Sequence, residues 1–181
     1  MAVQVPPGTR VLQGQTNLKI DLGCCRFKRQ GYIGFDLYEY TDVDPEHAPD
    51  FLCDLDEGIP LDDNSVAAVY TSHLLEHINT WASFFHEIWR VCQPGAIIEI
   101  RVPYLQHFWA FALGHTRFIS ERWFDDVLLK RLFIITSVEK IYDEAVLKTA
   151  RKCFPTLSAE DMGKLFWNVI QELKATCTPI K

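Results

Sequence analysis

Short apolar segments that alternate with turns constrain the fold of this chain more than any other feature of its sequence. Five segments have the length and composition of strands, namely residues 18–22, 32–36, 50–54, 66–70 and 96–102. Between the last two, apolar residues recur with the spacing of an amphipathic helix over residues 81–92. A strand, a helix and a strand in this order predict a parallel βαβ unit. We therefore expect an α/β protein with a mostly parallel sheet.

The composition favours one globular domain. Of the 181 residues, 48% are hydrophobic and 23% are charged, which is enough apolar material for one core. We expect a single domain over residues 1–181, in which residues 1–17, interrupted by Pro6-Pro7-Gly8, form a loosely held arm. The net charge of -6 disfavours nucleic acid as a partner, because an acidic surface repels phosphate.

The sequence shows neither a membrane segment nor a pair of cysteines with the spacing of a structural zinc site. It has no apolar run long enough to span a bilayer and no signal peptide at its beginning, so we expect no membrane partner and a cytoplasmic protein. Its six cysteines form no C-x-x-C pair, which argues against a structural zinc site and for reduced thiols. We therefore predict that the protein binds no metal.

Acidic residues and a glycine stand at the ends of the first three strand segments. Asp21 and Gly23 close the first segment, Asp36 closes the second and Asp54 closes the third. A glycine turn lets backbone N–H groups approach a ligand, and a carboxylate after the next strand can accept both hydroxyls of a ribose. Leu55 can pack on a base whose exocyclic amine donates to Asp54. These residues predict a nucleotide-like ligand at the carboxyl edge of the sheet.

The turn after the first segment differs from that of a nicotinamide-dependent Rossmann enzyme. It contains no G-x-G-x-x-G, and the connection from Gly23 to Asp36 is too short for the helix that normally follows. This enzyme class is therefore disfavoured.

Several longer pieces of the chain resemble one known family. The pieces are LKIDLGCC, GYIGFDL, FLCDLDEGIPLDDNSVAAVYTSHLLEHI, FFHEIWRVCQPGAIIEIRVPY and GHTRFISERWF. They resemble the class I S-adenosylmethionine (SAM)-dependent methyltransferases, in particular the small methyltransferase type 11 group. The third piece is the most specific, with its loop at residues 59–65 and its stretch at residues 72–77. The turn at residues 90–95 also matches the family. The resemblance covers residues 18–104 well and residues 115–124 moderately.

The resemblance implies a Rossmann-like class I methyltransferase fold, with a mostly parallel seven-stranded sheet, flanking helices and SAM at the carboxyl edge. The methionine part of SAM would contact the turn after the first strand, the ribose and adenine would contact the ends of the second and third strands, and the methyl group would lie at the end of the fourth. The residues implied for the methionine part are Asp21, Gly23 and Cys24. Those implied for the ribose are Asp36 and Leu37, and those for the adenine are Asp54 and Leu55. The methyl group would lie beside Thr71, Ser72 and His73.

One residue departs from the family pattern. Cys25 stands where the family usually has glycine, which is used there for close backbone approach and permissive dihedral angles. We expect this cysteine to narrow the pocket or weaken SAM binding without abolishing it.

Two interpretations apply to the stretch His73-Leu74-Leu75-Glu76-His77. In a methyltransferase, His73 lies beside the methyl group, and His73 or His115 can take a proton from the acceptor. The same letters match H-x-x-E-H, in which two histidines on a helix bind zinc and the glutamate acts as a base. The motif here follows directly on a strand, so a zinc hydrolase is the less favoured alternative.

The aromatic residues after the fifth strand also have two interpretations. Residues 104–111 are nearly uncharged and are either ordinary core or a lid over the acceptor site, with Tyr104, His107 and His115 facing the cleft. We favour the lid.

The second half of the chain is predicted as a helix over residues 120–132 and a strand over residues 133–141. Beyond these, the apolar spacing predicts one long helix that begins at Ser158, with Asp161 completing its capping box, whereas the family resemblance favours a strand over residues 168–176. We adopt a short helix followed by a strand.

These observations predict a SAM-dependent methyltransferase that acts on a small-molecule or sugar-like acceptor. The alternative is a non-catalytic SAM-binding module, which the residue Cys25 and the short chain favour and the intact acids Asp21, Asp36 and Asp54 oppose.

Overall fold

The computed structural model describes residues 2–181 and contains one eight-stranded sheet. The strands are β1 (Val3–Gln4), β2 (Leu18–Leu22), β3 (Ile33–Asp36), β4 (Phe51–Leu52), β5 (Val66–Ser72), β6 (Cys92–Pro103), β7 (Phe133–Tyr142) and β8 (Ile170–Pro179). Their order across the sheet is β1-β4-β3-β2-β5-β6-β8-β7. All neighbouring pairs from β1 to β6 are parallel, and β8 runs antiparallel to both β6 and β7. The predicted α/β class and mostly parallel sheet are confirmed.

The N-terminal arm supplies the eighth strand, so the predicted count of seven is wrong by one. Strand β1 pairs with β4, and the N–H of Val5 donates to the carbonyl oxygen of Leu52 at 2.8 Å. The Val5 side chain is only 4% exposed, and Val11 donates to Pro60 further along. The expectation of a loosely held arm over residues 1–17 is therefore corrected for the described residues, while Met1 lies outside them. The arm is held because it satisfies the backbone edge of β4 and covers apolar surface.

The helices are α1 (Trp81–Val91), α2 (Val127–Leu132), α3 (Glu144–Cys153) and α4 (Ala159–Leu165), with 3₁₀ turns at Phe108–Phe111 and Glu121–Asp125. The predicted βαβ unit is confirmed as β5–α1–β6, in which α1 buries Phe84, Phe85 and Ile88. No helix in the described part of the chain is both long and apolar enough to cross a bilayer.

The helix predicted over residues 120–132 is divided in two. The 3₁₀ turn Glu121–Asp125 ends at Asp126, whose side chain accepts a hydrogen bond from the N–H of Leu128 and so begins α2. At the C-terminus the short helix and the strand are confirmed as α4 and β8, and Ser158 caps α4 by accepting from the N–H of Asp161. Helix α3 was not predicted.

One part of the sheet is less covered than a parallel sheet usually is. Across the described chain, the connections β2–β3, β3–β4 and β4–β5 contain no helix. On the sheet face opposite α1, Lys19 is exposed and Ile97 is 61% exposed. Arg29 from the β2–β3 connection lies over the Tyr70 ring at 4.5 Å and pairs with Glu99 at 3.3 Å. Loops and a few long side chains therefore take the place of flanking helices here.

We expect Val5→Ala to lower the free energy of unfolding by about 1–2 kcal/mol, because it removes buried methyl groups that attach the arm to the sheet. Val3→Ala in the same arm is the matched control, since Val3 is 55% exposed. It should change stability by less than about 0.5 kcal/mol. Urea denaturation of both variants measures the difference, and equal stabilities would show that the arm contributes nothing.

Candidate functional site

A cavity of about 450 Å³ opens at the carboxyl edge of the sheet. Its wall is formed by the residues that follow β2, β3, β4 and β5, which is where ligands bind in open α/β sheets. Of the residues predicted for the cofactor and for catalysis, those that line it are Gly23, Asp36, Leu37, Asp54, Leu55 and His73. The other predicted residues are not part of its wall, namely Asp21, Cys24, Thr71, Ser72 and His115.

The turn after β2 has the backbone conformation that a glycine-rich loop requires. Gly23 has φ +69°, and Cys25 adopts the left-handed region with φ +50° even though it carries a side chain. The N–H of Cys25 donates to Oδ2 of Asp36 at 2.8 Å, and the N–H of Tyr38 donates to Oδ1 at 3.1 Å. Cys25 therefore adopts a conformation that favours glycine, and it forms part of the cavity wall.

Asp21 supports the loop and is not part of the cavity wall, and its predicted place beside the methionine part of SAM stays a prediction. Its side chain is 1% exposed and accepts a hydrogen bond from the N–H of Arg29 at 2.7 Å. Burial raises the pKa of this carboxyl to about 6, although the Arg29 N–H and guanidinium oppose the shift. The β2–β3 connection has no helix to satisfy its backbone, and Asp21 supplies one acceptor in its place.

Three further predicted residues lie outside the cavity. Cys24 is 5% exposed and packs beneath the loop, close to Gly34. Thr71 is 1% exposed and occupies the sheet face that packs on α1, in register with buried Leu22 and Ile100. Ser72 is half-buried and pairs with a residue of β6. At the end of β5, Thr71 therefore lies on the buried face of the sheet and Ser72 on the other face, because successive side chains of a strand alternate between the two faces.

The end of the cavity formed by the residues after β3 and β4 combines apolar walls with an exposed carboxylate. Leu55 is 5% exposed and Leu37 is 48% exposed, so an apolar surface is available to a flat ring. Asp54 is exposed, and its Oδ1 accepts only from the nearby N–H of Asp56. A carboxylate has further lone-pair sites, so Asp54 can accept from an exocyclic amine as predicted.

His73 is held between two carboxylates at the other end of the cavity. It follows β5 with φ +55°, and its Nε2 lies 3.1 Å from Oε1 of Glu172 while its Nδ1 lies 3.4 Å from Oε1 of Glu76. Arg101 also donates to Glu172, at 2.9 Å. The hydrogen bond to Glu172 and the nearby carboxylate of Glu76 raise the pKa of His73 to about 9. The imidazole is thus protonated at neutral pH, which favours a hydrogen-bond donor over the predicted proton acceptor.

The H-x-x-E-H zinc arrangement is not formed. Strand β5 ends at Ser72 and α1 begins at Trp81, so the motif lies in the turn between them instead of on a helix. His115 comes from the loop after the first 3₁₀ turn and meets His77, with ring centroids 4.6 Å apart. It thus packs against the motif instead of facing the cavity.

The aromatic stretch after β6 divides into core and surface. Tyr104 and His107 are 8% and 1% exposed, so the expectation that they face the cleft is wrong. His107 caps the 3₁₀ turn by accepting from the N–H of Trp109. Trp109 is exposed, and the centroid of its ring lies 6.2 Å from that of the His73 ring. The neighbouring Phe108 is also exposed. Trp109 thus lies next to a residue of the cavity wall, where the predicted lid would be.

Several residues of the cavity were missed by sequence reasoning, namely Tyr38, Tyr40, Cys53, Asp56, Leu74, Ile78 and Asn79. Leu74 lies against Gly23 so closely that a Cβ on the glycine would be 2.8 Å from its Cδ1. Asp56 accepts hydrogen bonds from Asn79 and Thr80 and ties the β4–β5 connection to the start of α1. Spacing along the chain contains no signal for these contacts, because they join segments that are distant in sequence.

Comparison with known proteins agrees with this geometry. Residues 20–100 match the methyltransferase type 11 family model, described as "Methyltransferase domain". No curated protein matches the chain significantly. The resemblance that the motifs indicate is thereby confirmed for the segment that contains β2 to β6.

Solved structures extend the likeness to most of the chain. A SAM-dependent methyltransferase from Mesorhizobium loti is 18% identical, with coverage of 92% of this chain and 93% of that one and a TM-score of 0.58. One from Archaeoglobus fulgidus is 16% identical, with coverages of 95% and 87% and a TM-score of 0.61. Phosphoethanolamine N-methyltransferase 2 from Haemonchus contortus, solved with S-adenosylhomocysteine, is 15% identical, with coverages of 92% and 50% and a TM-score of 0.62. The chain has the class I methyltransferase fold.

The buried carboxyl of Asp21 predicts a pH dependence of stability. Because its folded-state pKa of about 6 exceeds the ordinary value of 3.8, the folded protein binds the proton more tightly than the unfolded chain does. The resulting stability is complete below about pH 4 and is lost as the pH rises through about 6. Asp21→Asn keeps an acceptor for Arg29 and cannot ionise. We expect the difference in unfolding free energy between this variant and the wild type to shift in favour of the variant by up to about 3 kcal/mol when the pH is raised from 4 to 7. Denaturant titrations of both proteins at the two pH values measure this shift. A constant difference between the two proteins would contradict the assignment.

Proposed function

We propose that this protein is a SAM-dependent methyltransferase whose cofactor occupies the cavity at the carboxyl edge of the sheet. The observation that carries the proposal is the alignment of three parts along one cavity wall: the left-handed turn at Gly23 and Cys25, the carboxylate of Asp36, and the apolar surface of Leu37 and Leu55. The family match and the fold support the same cofactor.

The residues present fit SAM in size and chemistry. The cavity volume of about 450 Å³ lies within the range of ligand pockets. Asp36 already accepts two backbone N–H groups, and the lone pairs that remain on its oxygens can accept the ribose hydroxyls. Asp54 would accept from the adenine amine, and Leu37 and Leu55 would pack on the base. The methionine part would lie along the Gly23 turn, next to Leu74.

The chemistry that SAM supplies is an electrophilic methyl group on a sulfonium, transferred by in-line displacement. What the protein must do is hold the acceptor roughly 3–3.5 Å from the methyl carbon, which can supply much of the rate. His73 in its protonated form can orient an acceptor oxygen by donating a hydrogen bond, with Glu172 and Glu76 balancing its charge. His115 does not line the cavity, so the structure favours positioning over removal of a proton by either histidine.

The acceptor that we propose is a small molecule, with a sugar-like compound as one candidate. Trp109 and Phe108 are exposed beside His73 and could stack on a ring at the mouth of the cavity. We also propose that the protein works in the cytoplasm, because all six of its cysteines are free thiols in the described chain.

A non-catalytic SAM-binding module is the second candidate. The specific observation in its favour is that Asp21 and Asp36 both accept backbone hydrogen bonds from the β2–β3 connection. These acids would be retained for folding even if catalysis were lost. Incubation of the protein with methyl-labelled SAM and a panel of sugars, phenols and amines separates the candidates. Label in an acceptor supports the enzyme, whereas tight binding with no transfer to any acceptor supports the module.

We expect Asp36→Ala to weaken SAM binding by about 10–100-fold, since hydrogen bonds to a charged group are worth roughly 1.5–3 kcal/mol. Asp42→Ala is the control, because the side chain of Asp42 is exposed and pairs with Arg26 at the surface. Isothermal calorimetry with SAM measures both variants, and thermal melts verify that they are folded. Unchanged affinity in folded Asp36→Ala would refute the ribose assignment.

We expect Cys25→Gly to bind SAM several-fold more tightly than wild type, because it restores close backbone approach at the cavity wall. Its stability should change by less than about 1 kcal/mol, as relief of the left-handed strain and the greater chain entropy of glycine nearly cancel. Cys25→Ser keeps the Cβ and should bind like wild type. Equal affinities for all three proteins would show that Cys25 does not restrict the pocket.

A further inference from the structure

Three potential metal ligands converge beside the cavity. The ligand atoms of Glu76, His77 and His115 all lie within 4.8 Å of one another. Glu76 and His77 belong to the turn between β5 and α1, whereas His115 comes from the loop between the two 3₁₀ turns. The cluster differs from the H-x-x-E-H pattern, because His115 takes the place that His73 has in that motif.

The carboxylate of Glu76 is buried with only part of its charge matched by the nearby His73. The residue is 0% exposed, and neither of its side-chain oxygens makes a hydrogen bond with any described residue. The Nδ1 atom of His73 lies 3.4 Å from Oε1 of Glu76 but does not form a hydrogen bond with it. No described residue forms a hydrogen bond with Oε2. The Nδ1 atom of His115 is also buried and without a hydrogen-bond partner in the described chain. Buried polar groups are rarely left in this state, and a cation would satisfy both residues at once.

The backbone fixes these side chains relative to one another. The N–H and hydroxyl of Thr116 both donate to the carbonyl oxygen of Glu76, at 2.9 and 3.2 Å. This pair of hydrogen bonds ties the loop to the turn and places His115 next to His77, where the two rings meet edge to face. The ligands are thus positioned before any ion binds, which is a requirement for a specific metal site.

The donor set defines the kind of ion. Two imidazoles and one carboxylate suit divalent first-row transition metals such as Zn²⁺ and Fe²⁺, and three protein ligands leave coordination positions open. His77 also lines the cavity, so an ion held by these residues would lie at the cavity edge.

We propose that Glu76, His77 and His115 form a binding site for one divalent transition-metal ion at the edge of the cavity. This proposal differs from the expectation from sequence that the protein binds no metal. It does not depend on the proposed methyltransferase function, because the ligands were identified from their own geometry and burial.

Cobalt titration tests the proposal on the full chain, purified without a histidine tag and treated with a chelator. We expect wild-type protein to bind one equivalent of Co²⁺, with a visible spectrum typical of nitrogen and oxygen ligands. Glu76→Gln and His115→Ala should each bind at least about 100-fold more weakly, since loss of a merely supporting residue already costs 10–100-fold. His86→Ala is the matched control, because His86 is an exposed histidine on α1, and it should bind like wild type.

Two results would overturn the site. One is the absence of saturable binding in wild type, or unchanged binding in His115→Ala. The other is a cobalt spectrum dominated by thiolate charge transfer, which would assign the ion to cysteines. Thermal melts check folding, and if Glu76→Gln does not fold, the partly exposed loop residue His115 decides the test alone. Calorimetry with SAM on the same samples reports cofactor binding separately, so failure of the metal site and failure of the methyltransferase proposal are distinguished.

Discussion

Hydrogen bonds from backbone N–H groups to carboxylates at the strand ends hold together the part of the sheet that forms the cavity. A crossover helix satisfies its own backbone, but the β2–β3 connection has none, so its N–H groups need acceptors elsewhere. Asp21 accepts from Arg29, Asp36 accepts from Cys25, and Asp50 accepts from Gly34 and from the Lys28 side chain. The shape of the Gly23 turn, and with it the cavity wall, depends on these bonds.

This arrangement gives the acids two kinds of task. Asp36 holds the loop and also faces the cavity, whereas Asp21 holds the loop at the cost of burying an ionisable group. An acid at a strand end is therefore ambiguous as a sign of function in this protein. The presence of Asp21, Asp36 and Asp54 together supports a cofactor site less strongly than it would in a sheet whose crossovers are helical.

Charge is concentrated at the opposite end of the cavity. His73 lies between Glu172 and Glu76, and Arg101 neutralises the remaining charge on Glu172. Glu76 has one oxygen near His73 and a second that no described residue satisfies, so it links the histidine to the proposed metal site. A change at Glu76 would alter both the protonation of His73 and the ligand set. For this reason His115, which does not contact His73 directly, is the cleaner position for testing the metal.

Local pattern was sufficient for most of the strands. Short apolar segments between turns predicted β2, β5, β6 and β7 to within a few residues, because a buried strand requires apolar residues close together in the sequence. Local pattern was also sufficient for the family resemblance, which the match over residues 20–100 supports. It missed α3, and it failed for β1, which is two residues long and exists only because the edge of β4 is there to pair with it.

The sequence by itself thus determined the α/β class, the family resemblance and six of the residues around the cavity. Only the tertiary structure decided that Asp21 faces the loop, that Thr71 faces the core and that His73 is clamped between carboxylates. It alone brought His115 to Glu76 and His77. The physical reason is that periodicity reports how each residue sits on its own strand or helix, whereas a ligand set depends on which distant loops are tied together. In this protein the hydrogen bonds from Thr116 to Glu76 tie the two loops together, and the spacing of residues along the chain does not predict them.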